Sequence, residues 1–503
     1  MAVAGSAIGL GNFLRFPVQA AKNGGGAFII PYLVSFLLLG IPLMWIEWTL
    51  GRFGGGFGHG TAPGIFHNLW RKNRFIKYFG VIGIFGPIVI FIYYTYIESW
   101  LLGYSIFAIT GRYSQCLNQA SMSSFLSGYQ GLERNMYFSS LTPAYLFFLI
   151  TMFINLLVVS GGIQKGIERL NRYGLPILFG LGIVLLVRIL TLQPIYPQHP
   201  DWTPLQGLAF LWNPDFSALR QAKVWLAAAG QIFFTLSVGI GVILTYASYL
   251  SRKDDVILSG LTASAANEWV EVILGGSIAL TAAFLFFGPA GTPQVASGGA
   301  FNLAFVAMPL VFNKMPTGSL FGFFWFSLLF IAGITSSISL AQPAIAFMED
   351  EFDWDKKKAV TAFAIVTFVL CNLSVFLLSK GVVDELDFWG GTFALVLFGT
   401  IEAILFSWVF GIDRAWEEMH TGSDIRLPRI YKFIIRYITP TFLLFILAFW
   451  IFQEARNVIL MKNVPAENVP YVIGTRVLLV IMIAVLGWLV HKAWQRKVPA
   501  GRA

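Results

Sequence analysis

Asn267 and Glu271 stand four residues apart in ASAANEWVEVILGG (263–276), so a helix would place them on one face, with Glu268 beside them. Asn12 lies in AGSAIGLGNFLRFP (4–17) and Glu47 in IPLMWIEW (41–48). Thr235 and Ser237 lie in GQIFFTLSVGIGVILT (230–245), and Thr335 and Ser336 in AGITSSISLAQP (332–343). The sequence around each is apolar enough to sit in lipid. Polar groups at that depth are costly and turn toward a bundle interior or a water-filled path. One such group is ordinary interhelical glue. Asn12, Glu47, Asn267, Glu268, Glu271, Thr335 and Ser336 together favour a polar path. Acid–base catalysis by Glu47, Glu268 or Glu271 competes with this reading, but no nucleophile–base pair or metal motif accompanies them. The histidines at 59, 67, 199, 420 and 491 form no HExxH and no close pair. Cys116 and Cys371 form no CxxC, and one disulfide between them is the only pairing open to them.

The backbone of two of these stretches carries its own signal. Gly5, Gly9 and Gly11 crowd seven positions of an apolar run, and Gly239–Ile240–Gly241 interrupts another. Unwound backbone at membrane depth survives only where it is buried or lines a cavity. Freed carbonyls there can bind cations, and N–H groups at a half-helix N-terminus can bind an anion. Gly5-x3-Gly9 is also a small-xxx-small packing pattern. A dinucleotide-binding reading of Gly9–Leu10–Gly11 lacks a third glycine and a preceding strand. GGGFGHG (54–60) follows an apolar span, has no Lys-Ser/Thr, and reads as a loop.

The elements that hold these residues are membrane helices. The 503 residues are 57% hydrophobic, 16% aromatic and 12% charged, where soluble chains carry about 25% charged residues. Mean hydropathy is +0.72. Apolar runs of spanning length recur, giving expected spans at 1–22, 26–52, 76–109, 142–160, 172–192, 222–250, 256–286, 318–349, 358–379, 386–411, 430–454 and 470–493. The fold class is thus an all-α polytopic membrane protein with twelve transmembrane helices. The loop cations Arg52, Arg71, Lys72, Arg74 and Lys77, then Lys165, Arg169 and Arg172, then Lys492, Arg496 and Lys497, all fall on one side, which the positive-inside rule makes cytoplasmic. Both termini are then inside, and 110–141 and 193–221 outside. The net charge of +9 needs no nucleic acid. MAVAGSA is a poor signal peptide, lacking a basic n-region. The breaks fall in spans one and six. This predicts a 5+5 inverted repeat, 1–192 and 222–411, with two extra helices at 430–493, in one transporter domain over 1–503.

GSAIGLGNFLRFP, IPLMWIEW, YYTYIESW (93–100), GQIFFTLSVGIG, ASAANEWVEVILGG, AGITSSISLAQP and DELDFWGGT (384–392) together resemble the neurotransmitter:sodium symporter family, nearest its bacterial leucine-transporting members. The resemblance covers nearly the whole chain and is weakest in 110–141 and beyond about 455. It implies two sodium ions and no organic cofactor. The first sodium would take the Ala7 carbonyl, the Asn12 and Asn267 side chains, and Thr235, and would share the substrate carboxylate. The second would take carbonyls of Gly5, Ile8 and Ala332 and the hydroxyls of Thr335 and Ser336. These are hard oxygen donors without sulfur or imidazole, as an alkali cation requires.

By the same resemblance, N–H groups of Leu10 and Gly11 with the Tyr94 hydroxyl would hold the substrate carboxylate. Carbonyls of Ala7 and Phe234, with Thr235 and Ser237, would hold its ammonium. Val3, Ile90, Phe234, Ile240, Ser336 and Leu340 would line the side-chain pocket, so the cargo is expected to be a neutral hydrophobic amino acid. Gly9 stands where monoamine-carrying members have aspartate, so this substrate must bring its own carboxylate. Arg15 and Asp387 would form the outer gate, and Tyr249 and Asp350 part of the inner one. The family's arginine ahead of span one has no counterpart here, which reads as a truncated gene model. Glu47 would brace the unwound part of span six, and Glu271 would replace chloride near the first sodium.

The expected function is sodium-coupled symport by alternating access in a prokaryotic plasma membrane. A channel, or a substrate-binding sensor of the same fold that does not transport, competes with it. Expected partners are a small amino acid and membrane lipid; a homodimer is compatible with this reading.

Overall fold

The computed structural model describes residues 2–214 and 216–497. Among them the secondary structure is helical, apart from one isolated antiparallel bridge between Gly25 and Pro214. Among the described residues, ten helices are long and apolar enough to cross a membrane. In chain order the relevant elements are α1 (Ala2–Ala7), α2 (Phe16–Lys22), α3 (Gly26–Gly55), α4 (Ile76–Ile109), α5 (Thr142–Ser160), α6 (Ile163–Leu190), α7 (Ala222–Thr235), α8 (Val242–Ala247), α9 (Val256–Ser297), α10 (Gly318–Phe352), α11 (Lys356–Phe376), α12 (Val382–Val409), α13 (Ile430–Gln453) and α14 (Ala466–Arg496). Helices apolar all round bury themselves in protein or face lipid. Here α9 is mostly buried within the protein, and α14 mostly faces outward.

The expected spans 1–22 and 222–250 are not continuous helices. The first breaks into α1 and α2 around Ile8 and Gly9, and the second into α7 and α8 over 236–241. Met1 lies outside the described residues. α4 and α10 share the most extensive helix–helix packing among the described residues. α1 rests on α10 and on the first part of α9, the turn Gly11–Arg15 rests on Trp269–Gly276 of α9, and α8 rests on α3. The approach of these two segments at Gly275 leaves no room for a side chain: a Cβ there would lie 2.8 Å from the Asn12 carbonyl carbon and 3.2 Å from Phe13 Cα.

Three expectations need correction. The span expected to start at 172 starts at Ile163, because Gly162 (φ 70°) ends the turn after α5 and a wide turn over Ile163–Ile167 leads straight into helix. Lys165, Arg169 and Arg172 are therefore helical and not loop residues. Arg52 is not a free loop cation either. It is 2% exposed inside α3, where its guanidinium donates to the carbonyls of Asp254 (2.8 Å), Thr421 (2.6 Å) and Glu418 and pairs with the Glu418 carboxylate at 3.6 Å. The span expected to end at 286 continues to Ser297 past a kink at Gly288 (φ 69°), where Pro289 removes an N–H. Cys116 and Cys371 are both buried and free.

Candidate functional site

The two breaks face each other. After Ala7, the Gly9 N–H finds no helical partner and donates instead to Asn12 Oδ1 at 2.8 Å, so the Asn12 side chain replaces a helix carbonyl. The Leu10 N–H points to the Tyr94 hydroxyl at 3.5 Å. After Thr235 the chain turns through Ser237 (φ 54°), Gly239 (φ 74°) and Gly241 (φ 83°). Positive φ is strained for a side-chain-bearing residue, which explains the G-x-G; Ser237 sits there at a cost. Its hydroxyl donates to the Ser6 carbonyl at 3.1 Å, and Ser336 Oγ donates to the same carbonyl at 3.2 Å, tying both breaks to α10.

Glu47 supports the second break. Its Oε1 accepts the Gly239 N–H at 2.5 Å in a fully buried setting. Glu47→Ala leaves that N–H without a partner and is expected to cost about 1–3 kcal/mol in thermal unfolding. Glu47→Gln keeps an acceptor and is expected to lose less; an Ala variant as stable as the parent would show that the brace is idle.

Between the breaks lies a cavity of about 60 Å³. Ala7, Leu10, Gly11, Ile90, Tyr94, Phe234, Thr235, Ser237, Ile240, Ser336 and Leu340 all line it, with Gly9 and Asn12. Val3 does not; it lines a different cavity beneath α1, beside Ala2, Ala4 and Ile8. Ser6, Tyr93, Val242, Gly391 and Leu395 also line the central cavity and were not expected from sequence. Of these Tyr93 had a signal, being adjacent to Tyr94. Gly9 is hemmed in, since a Cβ would lie 2.7 Å from Ser336 Oγ.

One side of this cavity is a cluster of buried polar groups. Asn12 Nδ2 donates to Asn267 Oδ1 (2.8 Å), Glu271 Oε2 (3.1 Å) and Thr235 Oγ1 (3.3 Å). Asn267 Nδ2 donates to Thr235 Oγ1 (3.0 Å), and the Thr235 hydroxyl donates to Glu271 Oε2. Gln231 Nε2 donates to Glu271 Oε1 (2.6 Å). Gln231 was missed, although a glutamine in GQIFFT is as conspicuous as Asn12. The donor atoms fit a hard cation, and such an ion requires the Asn12 amide turned so that Oδ1 faces the cluster. On α10, Ala332 O accepts from Thr335 Oγ1 (3.1 Å) and Ser336 Oγ (3.2 Å), and α1, which carries Gly5 and is followed by Ile8, packs on α10, where Ser336 Oγ reaches the Ser6 carbonyl.

The expected gate pairs are near each other without being bonded. Arg15 lies over the Phe234 ring, 4.2 Å from its centroid, while Asp387 accepts from the Tyr93 hydroxyl at 2.6 Å. No ion pair joins Arg15 to Asp387. On the opposite face, Asp350 Oδ2 accepts the Gly60 N–H at 2.9 Å, and the Tyr249 hydroxyl accepts from Gln342 Nε2 at 3.4 Å.

A multi-spanning helical bundle with two interrupted helices meeting at a small cavity is the architecture of a secondary transporter. The chain belongs to the sodium:neurotransmitter symporter family, whose profile matches residues 1–193 and 144–496. It is 32% identical over 465 residues to an uncharacterized sodium-dependent transporter of Methanocaldococcus jannaschii, covering 91% of this chain and 89% of that one. It is 30% identical over 463 residues to the uncharacterized sodium-dependent transporter YhdH of Bacillus subtilis, covering 88% and 93%. Among solved structures it is similar to MhsT in complex with L-phenylalanine, with a TM-score of 0.74 and 30% identity, covering 89% of this chain and 96% of that one. The protein is a sodium-dependent membrane transporter and not an enzyme.

Proposed function

We propose that this chain imports neutral, hydrophobic L-amino acids, driven by two sodium ions, by alternating access. The observation that carries this reading is the cavity between the two breaks. It is walled by Ile90, Phe234, Ile240 and Leu340 and bordered by the Leu10 N–H, the Tyr94 hydroxyl and the Asn12–Thr235–Asn267 cluster. An amino acid fits that division of labour: carboxylate toward the helix break and cation, side chain toward the apolar wall. The relative solved with L-phenylalanine supports the same class of cargo.

In this reading the two interrupted helices join the ten continuous ones to make twelve, with the inverted repeat spanning 1–192 and 222–411 and both termini cytoplasmic. The first sodium sits among Ala7, Asn12, Thr235 and Asn267; the second sits among Gly5, Ile8, Ala332, Thr335 and Ser336. Arg15 with Asp387 closes the outer side, and Tyr249 with Asp350 the inner side. The test is uptake into proteoliposomes. A saturable, concentrative flux driven by an inward sodium gradient supports transport. Sodium-dependent binding without any flux identifies a sensor and overturns it.

Specificity follows from Ile240, which stands where the leucine-transporting members carry phenylalanine. Ile is smaller, so Leu, Met, Ile and the aromatic Phe and Trp are expected to compete ahead of Gly and Ala. One methylene in an apolar pocket is worth about 1–3 kcal/mol, so selectivity is broad. Ile240→Phe is expected to weaken competition by Trp and Phe more than by Leu. Glycine outcompeting leucine would overturn this assignment.

A further inference from the structure

Asn171 is an isolated polar group beside the first break. It lies on α6, is wholly buried, and neither its Oδ1 nor its Nδ2 has a hydrogen-bond partner. Buried amides are almost always paired, so one unpaired at both ends needs a reason in what it faces. It faces Gly5. A Cβ on Gly5 would run into the amide, lying 2.5 Å from Asn171 Cγ and 2.7 Å from Nδ2, so the side chain lies directly on the bare backbone of α1. Three residues further along the same face of α6, a Cβ on Gly174 would lie 3.3 Å from Ile331 Cγ2 and 4.0 Å from Thr335 Cγ2 on α10. The Asn171–Gly174 face therefore abuts both Gly5 and Thr335. A leucine would fill the same space without burying an unpaired amide.

We propose that Asn171 belongs to the second sodium site: its amide oxygen turns toward the ion, and so ties α6 to α1 when the ion is bound. This rests on the two-sodium reading above. That reading supplies only neutral oxygens, from Gly5, Ile8, Ala332, Thr335 and Ser336. A further amide oxygen is of the same hard class, and it reaches the site from a helix that contributes none of the others.

The test uses the full chain in detergent without amino acid, titrating sodium against choline and reading thermal unfolding. A ligand that binds the folded state raises stability with concentration, so the midpoint of the titration reports affinity. Asn171→Ala is expected to raise the sodium concentration for half-maximal stabilisation by about fivefold to tenfold. Asn171→Leu, which keeps the volume, is expected to do the same while unfolding in choline no earlier than the parent. Combined with Thr335→Ala, Asn171→Leu is expected to add little; combined with Asn267→Ala, its shift is expected to multiply in full, as for independent sites. A merely structural asparagine would change unfolding in choline and leave the sodium midpoint alone. An unchanged midpoint in Asn171→Leu, with Thr335→Ala shifted, overturns this inference and leaves the second sodium standing. An unchanged midpoint in both variants overturns the second sodium and the inference with it.

Discussion

In chloride-free gluconate buffer the unmutated chain is expected to take up substrate as fast as in chloride, and Glu271→Ser is expected to lose at least about tenfold of that uptake and regain it when chloride is added. The argument is one of charge. In the proposed reading, two sodium ions and one substrate carboxylate would leave a net positive charge in a low-dielectric site, where an uncompensated charge is costly. The resemblance to the family implies a small neutral residue at this position in members that depend on chloride. Here Glu271 is wholly buried, and its two oxygens accept from Gln231, Asn12 and Thr235. Its carboxylate is thus in hydrogen-bond contact with two of the three side chains assigned to the first sodium, and Asn267 Nδ2 lies 3.5 Å away. Serine at 271 would free the space and leave the Gln231 amide and Thr235 hydroxyl as donors for an anion. Glu271→Gln fills the space with a neutral group, so it is expected to lose uptake without regaining it in chloride. A parent that stops without chloride, or a serine variant indifferent to it, would show that Glu271 is not the compensating charge.

The breaks were legible because they leave marks on composition. A glycine pair inside an apolar run, with Asn12 or Thr235 beside it, is hard to explain as an ordinary span, and both helices end where those marks fall. Glu271 was legible through its four-residue spacing from Asn267, since helix geometry alone puts the two on one face. Contacts between distant segments were not legible. Arg52 counts as a loop cation in the sequence; its three carbonyl partners lie some two hundred and more residues away, and only the fold brings them together. Val3 was placed in the substrate pocket by resemblance, but α1 turns it toward a second cavity. The start of α6 was missed because Lys165, Arg169 and Arg172 lower the hydropathy of a segment that is helical regardless. Asn171 shows the same limit: among polar residues near a helix end it is unremarkable until its neighbours are known to be Gly5 and α10.

Asn267→Ala and Thr335→Ala are expected to weaken sodium binding about tenfold each, the loss of one oxygen facing a charge, and to differ in what they do to substrate. Asn267 Oδ1 accepts from Asn12, and its amide holds Thr235, so its loss disorders the cluster that borders the substrate cavity. Thr335 Oγ1 donates to the carbonyls of Ile331 and Ala332, and Thr335 does not line that cavity. Linkage makes the difference quantitative. If the substrate carboxylate is itself a ligand of the first sodium, sodium must raise substrate affinity by the same factor as substrate raises sodium affinity. That factor is expected to shrink in Asn267→Ala and to stay at its parental value in Thr335→Ala once sodium is raised to saturate the weakened site. The measurement is substrate affinity by equilibrium binding over a range of sodium concentrations in each variant. A parent protein whose substrate affinity is the same at every sodium concentration has no shared ligand, and coupling through the carboxylate falls. A Thr335→Ala variant that loses the factor as completely as Asn267→Ala would move the coupling to the second sodium, acting through the tie between Ser6 and Ser336 and not through the substrate itself.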